Sequence, residues 1–341
     1  MAPLAAAALL AAASGACLTS RVLGLGVQEE PARGTLRSSS IAFAGGNDLY
    51  LARGDGSEPR RLIAGSEIGR GGAIFLPMPS PAGERLLFLS ILDLDVIDSS
   101  GRDLSLNILD LDGRDPSTAS ITAWRQVGLE KIAPPGPKGG QEIFTAAAAA
   151  WSRDGSRIAL GLNRPASDGG DAILLLDADG TPSELYELGG RDLSRASSIA
   201  WTPGGVSLLF GAESEAGDER TIGVVMLLDL AATGQRAGPA RLTELGPGRY
   251  PSLSPDGSRI AVVDDRAGQW DLLVLDMRGH EIDRFVRPAG RGLNRPQWSA
   301  DGRYLYYYSL ASTGPLGLVE ITMLRCLDTF SRRVFDLARL G

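Results

Sequence analysis

A five-residue phrase returns along the chain and governs what it can fold into. It reads Trp151-Ser152-Arg153-Asp154-Gly155, Trp201-Thr202-Pro203-Gly204-Gly205, Leu253-Ser254-Pro255-Asp256-Gly257 and Trp298-Ser299-Ala300-Asp301-Gly302, with a weaker copy at Pro79-Ser80-Pro81-Ala82-Gly83. Each copy leads into an apolar run. Small repeated β-units of this kind cannot bury their hydrophobic faces alone and must pack against one another.

The shared residues are turn chemistry. Ser80, Ser152, Thr202, Ser254 and Ser299 each put a hydroxyl three positions before the closing glycine, where it bonds back to the turn's own backbone. Pro81, Pro203 and Pro255 suit the second position of a type I turn, and the closing glycine supplies the positive φ that a bulged hairpin needs. Three residues beyond that glycine stand Leu86, Ile158, Leu208, Ile260 and Leu305, and two further on Phe88, Leu160, Phe210, Val262 and Tyr307. This period of two marks a strand. The residues between them, Leu87, Ala159, Leu209, Ala261 and Tyr306, predict that both faces of the strand are covered.

A second signature follows. Apolar runs end in an aspartate and a glycine turn at Leu174 to Gly180 and Leu273 to Gly279, with related copies at Ile108 to Gly113 and Leu227 to Asp229. Each unit therefore reads as turn, strand, strand, turn, strand, and the short segment before the first turn makes four strands. Gly155, Gly205, Gly257 and Gly302 stand about a propeller blade apart, roughly 40 to 50 residues. The step from Gly83 to Gly155 is longer and accommodates two insertions, the acidic stretch 93–103 and the Pro/Gly-rich stretch 133–140. An earlier unit, Ile41 to Phe43, Asp48 to Leu51 and Arg61 to Ile63, lacks the opening phrase, and Ser38 stands where the glycine should be. The expected fold is all-β: a six-bladed β-propeller over 41–341, built of four-stranded antiparallel blades with the first degenerate. Either 34–40 supplies the missing inner strand or the ring closes on a three-stranded blade. The segment 332–340 reads as an outer strand, and 44 glycines suit a chain of many tight turns.

The first sixteen residues differ in kind. They carry no charge, and Leu4 to Ala13 is almost wholly alanine and leucine, too short to span a bilayer and typical of a secretory signal. The run ends Ser14-Gly15-Ala16-Cys17. It resembles a bacterial lipoprotein signal, in which the cysteine becomes the lipidated first residue, although the positive n-region is missing and Ser14 replaces the usual leucine. Residues 1–16 are thus expected to be a signal peptide, Cys17 the lipid attachment point, and 17–40 a tether rich in Gly, Ser and charge. Plain cleavage and release is the alternative. Leu18, not aspartate, follows the cysteine, which resembles the pattern sent to the outer membrane in diderm hosts.

Composition narrows the function. A formal net charge of −7 with no basic face argues against a nucleic-acid partner. With Cys17 assigned to the signal, Cys326 has no disulfide mate and reads as a small buried hydrophobe. The single histidine, His280, follows a turn and reads as a polar turn residue, and no Gly-x-Ser-x-Gly elbow occurs. Zinc-type clusters are missing from the sequence. Asp110-x-Asp112-Gly113-x-Asp115 and Asp177-x-Asp179-Gly180 place carboxylates on tight loops, as Ca²⁺ prefers, yet hairpin capping explains the recurrence equally well. Asp93, Asp95, Asp98 and Asp103 read as a solvated loop. Trp151, Trp201 and Trp298 share one slot and read as packing between blades. Trp124 and Trp270 fall outside it and are candidate exposed contact residues. The run Ala146 to Ala150 suits the crowded rim of a central channel and is not expected to form a site. No catalytic residue, metal ligand or cofactor site is assigned.

The phrase with its following strand, best carried by Trp151 to Leu160, Leu253 to Val262 and Trp298 to Tyr307, resembles the WD-like repeat of TolB-type β-propellers. That resemblance covers nearly everything from Ile41 onward. It implies a non-catalytic scaffold, a monomeric propeller binding a protein or peptide partner through its loop face in the periplasm or at the cell surface, held to a membrane through Cys17. The competing expectation is a metal-dependent propeller enzyme, such as a lactonase-like hydrolase, or a small-ligand binder using the central channel.

Overall fold

The computed structural model describes residues 40–340, apart from 46, 54–56, 93–103, 114, 116–117, 129–144, 164–170, 189–192, 217–219, 231–240, 265, 267–269, 286–290, 300 and 314–318. The expected signal, Cys17 and nearly all of the expected tether lie outside the described residues, as do the aspartates of 93–103, the 133–140 insertion and the 34–39 segment. Six antiparallel sheets follow one another in chain order. The first holds β1 (Ser40–Gly45), β2 (Asp48–Arg53) and β3 (Arg60–Ile63), and a single-turn α1 (Gly65–Ile68) leads out of it. The second holds β4 (Ala73–Pro79), β5 (Arg85–Ile91), β6 (Leu104–Asp112) and β7 (Ser120–Gly128); the third β8 (Thr145–Trp151), β9 (Arg157–Asn163), β10 (Ala172–Asp177) and β11 (Pro182–Glu187). The fourth holds β12 (Leu193–Trp201), β13 (Ser207–Ala216), β14 (Arg220–Asp229) and β15 (Arg241–Pro247). The fifth holds β16 (Arg249–Leu253), β17 (Arg259–Asp264), β18 (Asp271–Asp276) and β19 (Glu281–Phe285); the sixth β20 (Arg291–Trp298), β21 (Tyr304–Thr313), β22 (Val319–Asp328) and β23 (Val334–Leu340). This is the expected six-bladed propeller, with β23 as the outer strand of the last blade.

The recurring phrase folds as its residues dictate. Each copy closes the turn between the first and second strands of a blade. Gly155 N–H donates to the Ser152 carbonyl at 2.9 Å, and the Ser152 hydroxyl oxygen accepts from Arg157 N–H at 2.9 Å. The same pair of bonds recurs at Ser80, Ser254 and Ser299. The closing glycines 83, 155, 205, 257 and 302 all have φ between 66° and 71°. The second turn is equally regular: Asp177 N–H donates to Thr181 O and Asp276 N–H to His280 O, both at 2.8 Å. Arg53 N–H closes on Ser57 O in the same way, at 3.0 Å. That match places β2 and β3 as the third and fourth strands of the first blade and β1 as its second. No described strand fills the innermost position there.

The core is divided among the blade interfaces. Among the described residues five hydrophobic clusters occur, each made by two consecutive sheets. Alternate residues of one strand enter opposite clusters. Ile158, Leu160 and Leu162 of β9 pack on the second blade while Ala159 packs on the fourth. Ile260 and Val262 of β17 pack on the fourth blade, Ala261 and Val263 on the sixth. The near-continuous apolar reading of these strands is thereby explained: each of the second to fifth sheets is a spoke with two buried faces. Trp151, Trp201 and Trp298 bridge blades as expected. Their indole N–H groups donate to Met78 O at 3.2 Å, Ala150 O at 3.1 Å and Ser252 O at 3.1 Å, each a carbonyl on the innermost strand of the preceding blade.

Candidate functional site

Strand direction sorts the connections between two ends of the ring. The turns from first to second strand and from third to fourth strand lie at one end. The links from second to third strand, and from one blade to the next, leave from the other, which is the loop face. At the turn end every described first-to-second connection is a short hydrogen-bonded turn, whereas the third-to-fourth links of the second and fourth blades are longer, at 113–119 and 230–240. Among the described ladders, strand length varies most at the loop face. In the fourth blade the ladder of β13 and β14 continues to Ala216 opposite Arg220, and in the sixth that of β21 and β22 to Thr313 opposite Val319. In the fifth, between them, β17 and β18 stop at Asp264 opposite Asp271. Counted from the closing glycine, the flanking hairpins run further by about four residues, or roughly 13 Å at 3.3 Å per residue. The short fifth blade is thus the floor of a notch between two raised hairpins.

The floor is charged and internally ordered. Asp264 and Asp271 are both buried and face each other across the ladder, an arrangement that repels unless bridged. Arg284, from β19, bridges them, with Nη1 at 2.9 Å from Asp271 and 3.5 Å from Asp264. Its other edge is held by Glu281 at 2.7 Å, and Arg266 makes a two-pronged contact with Asp264 at 2.8 and 2.9 Å. The Arg266 hydrogen bond is the main reason the Asp264 carboxyl sits below the ordinary carboxylate range. Nearer the start of β16, Arg249 pairs with Glu213 of the fourth blade at 2.5 Å. Arg266 is half-exposed, so the floor presents a cation that is already oriented.

The innermost strands carry a second recurring feature. Each has a register break near the position three residues before the end of the strand, occupied by Leu76, Ala148, Ser198, Tyr250 and Arg295. Leu76, Tyr250 and Arg295 take left-handed φ values of 52°, 54° and 49°, uncommon for residues with a side chain. Ser198 uses its hydroxyl to reach Pro251 O of the next blade at 3.2 Å.

The residues singled out in the sequence are scattered rather than gathered. His280 is exposed and its Nδ1 lies 3.1 Å from Asp276, the carboxylate that caps its own turn. Asp179 accepts Thr181 N–H, and Asp110 pairs with Arg85 at 3.2 Å. Among the described residues no three His, Cys, Asp or Glu side chains are grouped as a metal site would require. Cys326 is buried in β22. Trp124 is 38% exposed, donates to Asn107 Oδ1 at 3.0 Å and lies tilted against Phe88. Trp270, just before β18, is partly buried and packs on the cluster between the fifth and sixth blades that Leu272 and Phe285 enter. Ala148 and Ala149 of the alanine run enter the two opposite interfaces of their blade. The notch was missed in the sequence, although the longer spacing between apolar runs after Gly205 and Gly302 is its signal.

The sequence matches no protein-family model and none of the curated proteins. Solved structures do match its fold. The chain is similar to TolB from Acinetobacter baumannii at 15% identity, with 98% of this chain and 67% of that one covered and a TM-score of 0.55. It is also similar to a putative TolB from Agrobacterium tumefaciens at 18% identity, covering 83% and 84%, with a TM-score of 0.50. The fold is therefore a TolB-like six-bladed propeller. No described helix is long and apolar enough to cross a membrane.

Proposed function

We propose that the protein is a non-catalytic scaffold of the cell envelope, anchored through lipid on Cys17, that binds a protein or peptide partner in the notch on its loop face. The observation that carries this reading is the short fifth-blade hairpin between two raised ones, floored by oriented charges. Such a concavity suits an extended polypeptide, since its walls offer backbone and its floor offers ionic partners. The likeness to TolB structures supports the same reading at the level of fold. The lipoprotein-like start supports a location in the periplasm or at the cell surface, and at the outer membrane in a diderm host.

Two experiments test the two halves. A photo-crosslinker at Arg266, on the notch floor, is compared with one at Arg153, exposed on the turn end. One recurring protein captured from position 266 alone is the expected result. Equal capture from both positions, or none from 266, refutes the notch. For the anchor, Cys17→Ser is expected to move the protein from the membrane fraction to the soluble one, and an unchanged distribution refutes lipidation.

A further inference from the structure

Arg332 stands where two sister turns carry a glycine. In the third-to-fourth turns of the third, fifth and sixth blades, the N–H groups of Asp177, Asp276 and Asp328 close on the carbonyls of Thr181, His280 and Arg333. The residues just before those acceptors are Gly180, Gly279 and Arg332, all left-handed, with φ of 89°, 85° and 59°. Glycine adopts this conformation freely, whereas arginine is strained in it. A side chain kept at such a place has a use that outweighs the strain. The turn that carries it is fixed: the Asp328 carboxylate accepts Phe330 N–H at 3.0 Å and Ser331 N–H at 3.3 Å, and Arg303 holds that carboxylate at 2.6 Å.

From that base the Arg332 guanidinium reaches the fifth blade and touches three successive residues of β19. Nη2 pairs with Asp283 at 2.6 Å, Nη1 donates to Arg284 O at 3.3 Å, and the group lies over the Phe285 ring, 4.9 Å from its centroid. Side chains alternate across a strand. Phe285 enters the cluster between the fifth and sixth blades, so Arg284 leaves on the other face, where it bridges Asp264 and Asp271. The sixth blade thus grips β19 on one face at the residue that organises the notch floor on the other. The gripping turn also closes β22, whose far end is part of the raised hairpin beside that floor. We propose that Arg332 is a positioning residue for the notch, a latch that ties the sixth-blade wall to the fifth-blade floor and sets Arg284 between its two carboxylates. That this alignment serves a bound polypeptide rests on the scaffold reading above; the latch itself does not.

The test is side-chain NMR of the full chain labelled with ¹⁵N-arginine, reading proton exchange at Arg284 Nε–H. This group donates to Glu281 at 3.0 Å, and its signal is expected to exchange slowly in the natural protein, because exchange requires a local opening. In Arg332→Gly, which relieves the backbone strain and removes the latch, the Arg284 signal is expected to exchange several-fold faster. The signal of Arg157, in the third blade, should not change, and Tm should stay close to that of the natural protein, since relieved strain offsets the lost contacts. Asp283→Asn weakens the same latch without altering the turn. It should give a smaller effect of the same sign, and it carries the comparison should Arg332→Gly fail to fold. Unchanged exchange at Arg284 in both variants overturns the proposal. So does faster exchange shared equally by Arg157 with a fallen Tm, which is general loosening and not positioning. Crosslinking at Arg266 can fail while the Arg284 signal responds, so the scaffold and the latch stand or fall separately.

Discussion

Arg157 lies over the indole of Trp201 in the following blade, its guanidinium carbon 4.6 Å from the ring centroid, and donates from Nη2 to Gly205 O at 3.1 Å. Arg259 treats Trp298 in the same way, at 4.5 Å, and reaches Gly302 O at 2.9 Å. The arginine two residues past the closing glycine of one blade therefore clamps the turn phrase of the next. Where the fourth blade has Ser207 at the arginine position, the fifth has Leu253 at the tryptophan position. The two halves of the clamp are missing together.

This coupling predicts a measurable interaction energy. Arg157→Met and Trp201→Leu should each destabilise the protein in urea, and their double-mutant cycle should show a coupling of about 1 kcal/mol, the scale of a partly exposed cation–π contact with one hydrogen bond. The converse holds at the missing clamp. Ser207→Arg with Leu253→Trp should be more stable than the sum of the two single changes implies, and additive behaviour there would show that the clamp needs more than its two ends.

Two glycines with similar backbone should respond very differently to alanine. Gly155 and Gly279 have φ values of 70° and 85°. A Cβ on Gly155 would meet nothing nearer than Pro81 Cδ at 3.9 Å, whereas on Gly279 it would lie 1.7 Å from Leu245 O in the neighbouring blade. Gly155→Ala bears only the left-handed backbone cost, about 1–2 kcal/mol. Gly279→Ala must also push two blades apart and should cost about 3 kcal/mol or more. Chemical denaturation of both variants separates the two terms.

How much of this could be read in advance follows from where the partners lie along the chain. The turn phrase is local: Ser152, Asp154 and Gly155 serve one another within a few residues, so their types alone specify the turn. The blade count follows from its repetition, and the doubly buried faces from the apolar residues between Ile158 and Leu160. The Arg157 clamp was not legible in the same way, because its partner stands in another blade and an arginine after a serine looks like a solvated turn residue. The matched loss of Ser207 and Leu253 was the available signal. The packing of Trp270 was not legible, because a tryptophan outside the repeated slot gives no sign of which interface it enters. No described strand fills the innermost position of the first blade, and nearly all of the segment weighed for it lies outside the described residues.

Acid should unfold the protein through the same turns. The Ser152 hydroxyl, then the Ser156 N–H, hold the Asp154 carboxyl down at about 2, and the Arg303 guanidinium holds Asp328 at about 2. Asp256 is lowered likewise, chiefly by the Ser254 hydroxyl. A carboxylate whose folded pKa lies below its unfolded value of about 3.9 stabilises the fold above that value. The contribution is lost as pH falls from about 4 towards 2. Stability measured across that window should drop, and Asp154→Asn with Asp328→Asn should flatten the drop while lowering stability at neutral pH. A pH profile unchanged by the pair would assign acid sensitivity elsewhere.

The notch floor allows a last prediction about sign. Arg284 is the bridge that makes the facing carboxylates of Asp264 and Asp271 tolerable, and both are buried while Arg284 is about one-third exposed. Removing one partner from a buried ionic group leaves the others uncompensated, a loss of about 3–5 kcal/mol in a dry interior. Solvent at Arg284 reduces this, so Arg284→Met should cost about 2 kcal/mol. Adding Asp271→Asn should then restore stability, because it removes the repulsion that the first change exposed, whereas Asp271→Asn alone should destabilise. A second substitution that reverses sign with background is the signature of a bridged pair. If both changes destabilise independently, the carboxylates are held by other groups and the floor of the notch is not organised around Arg284.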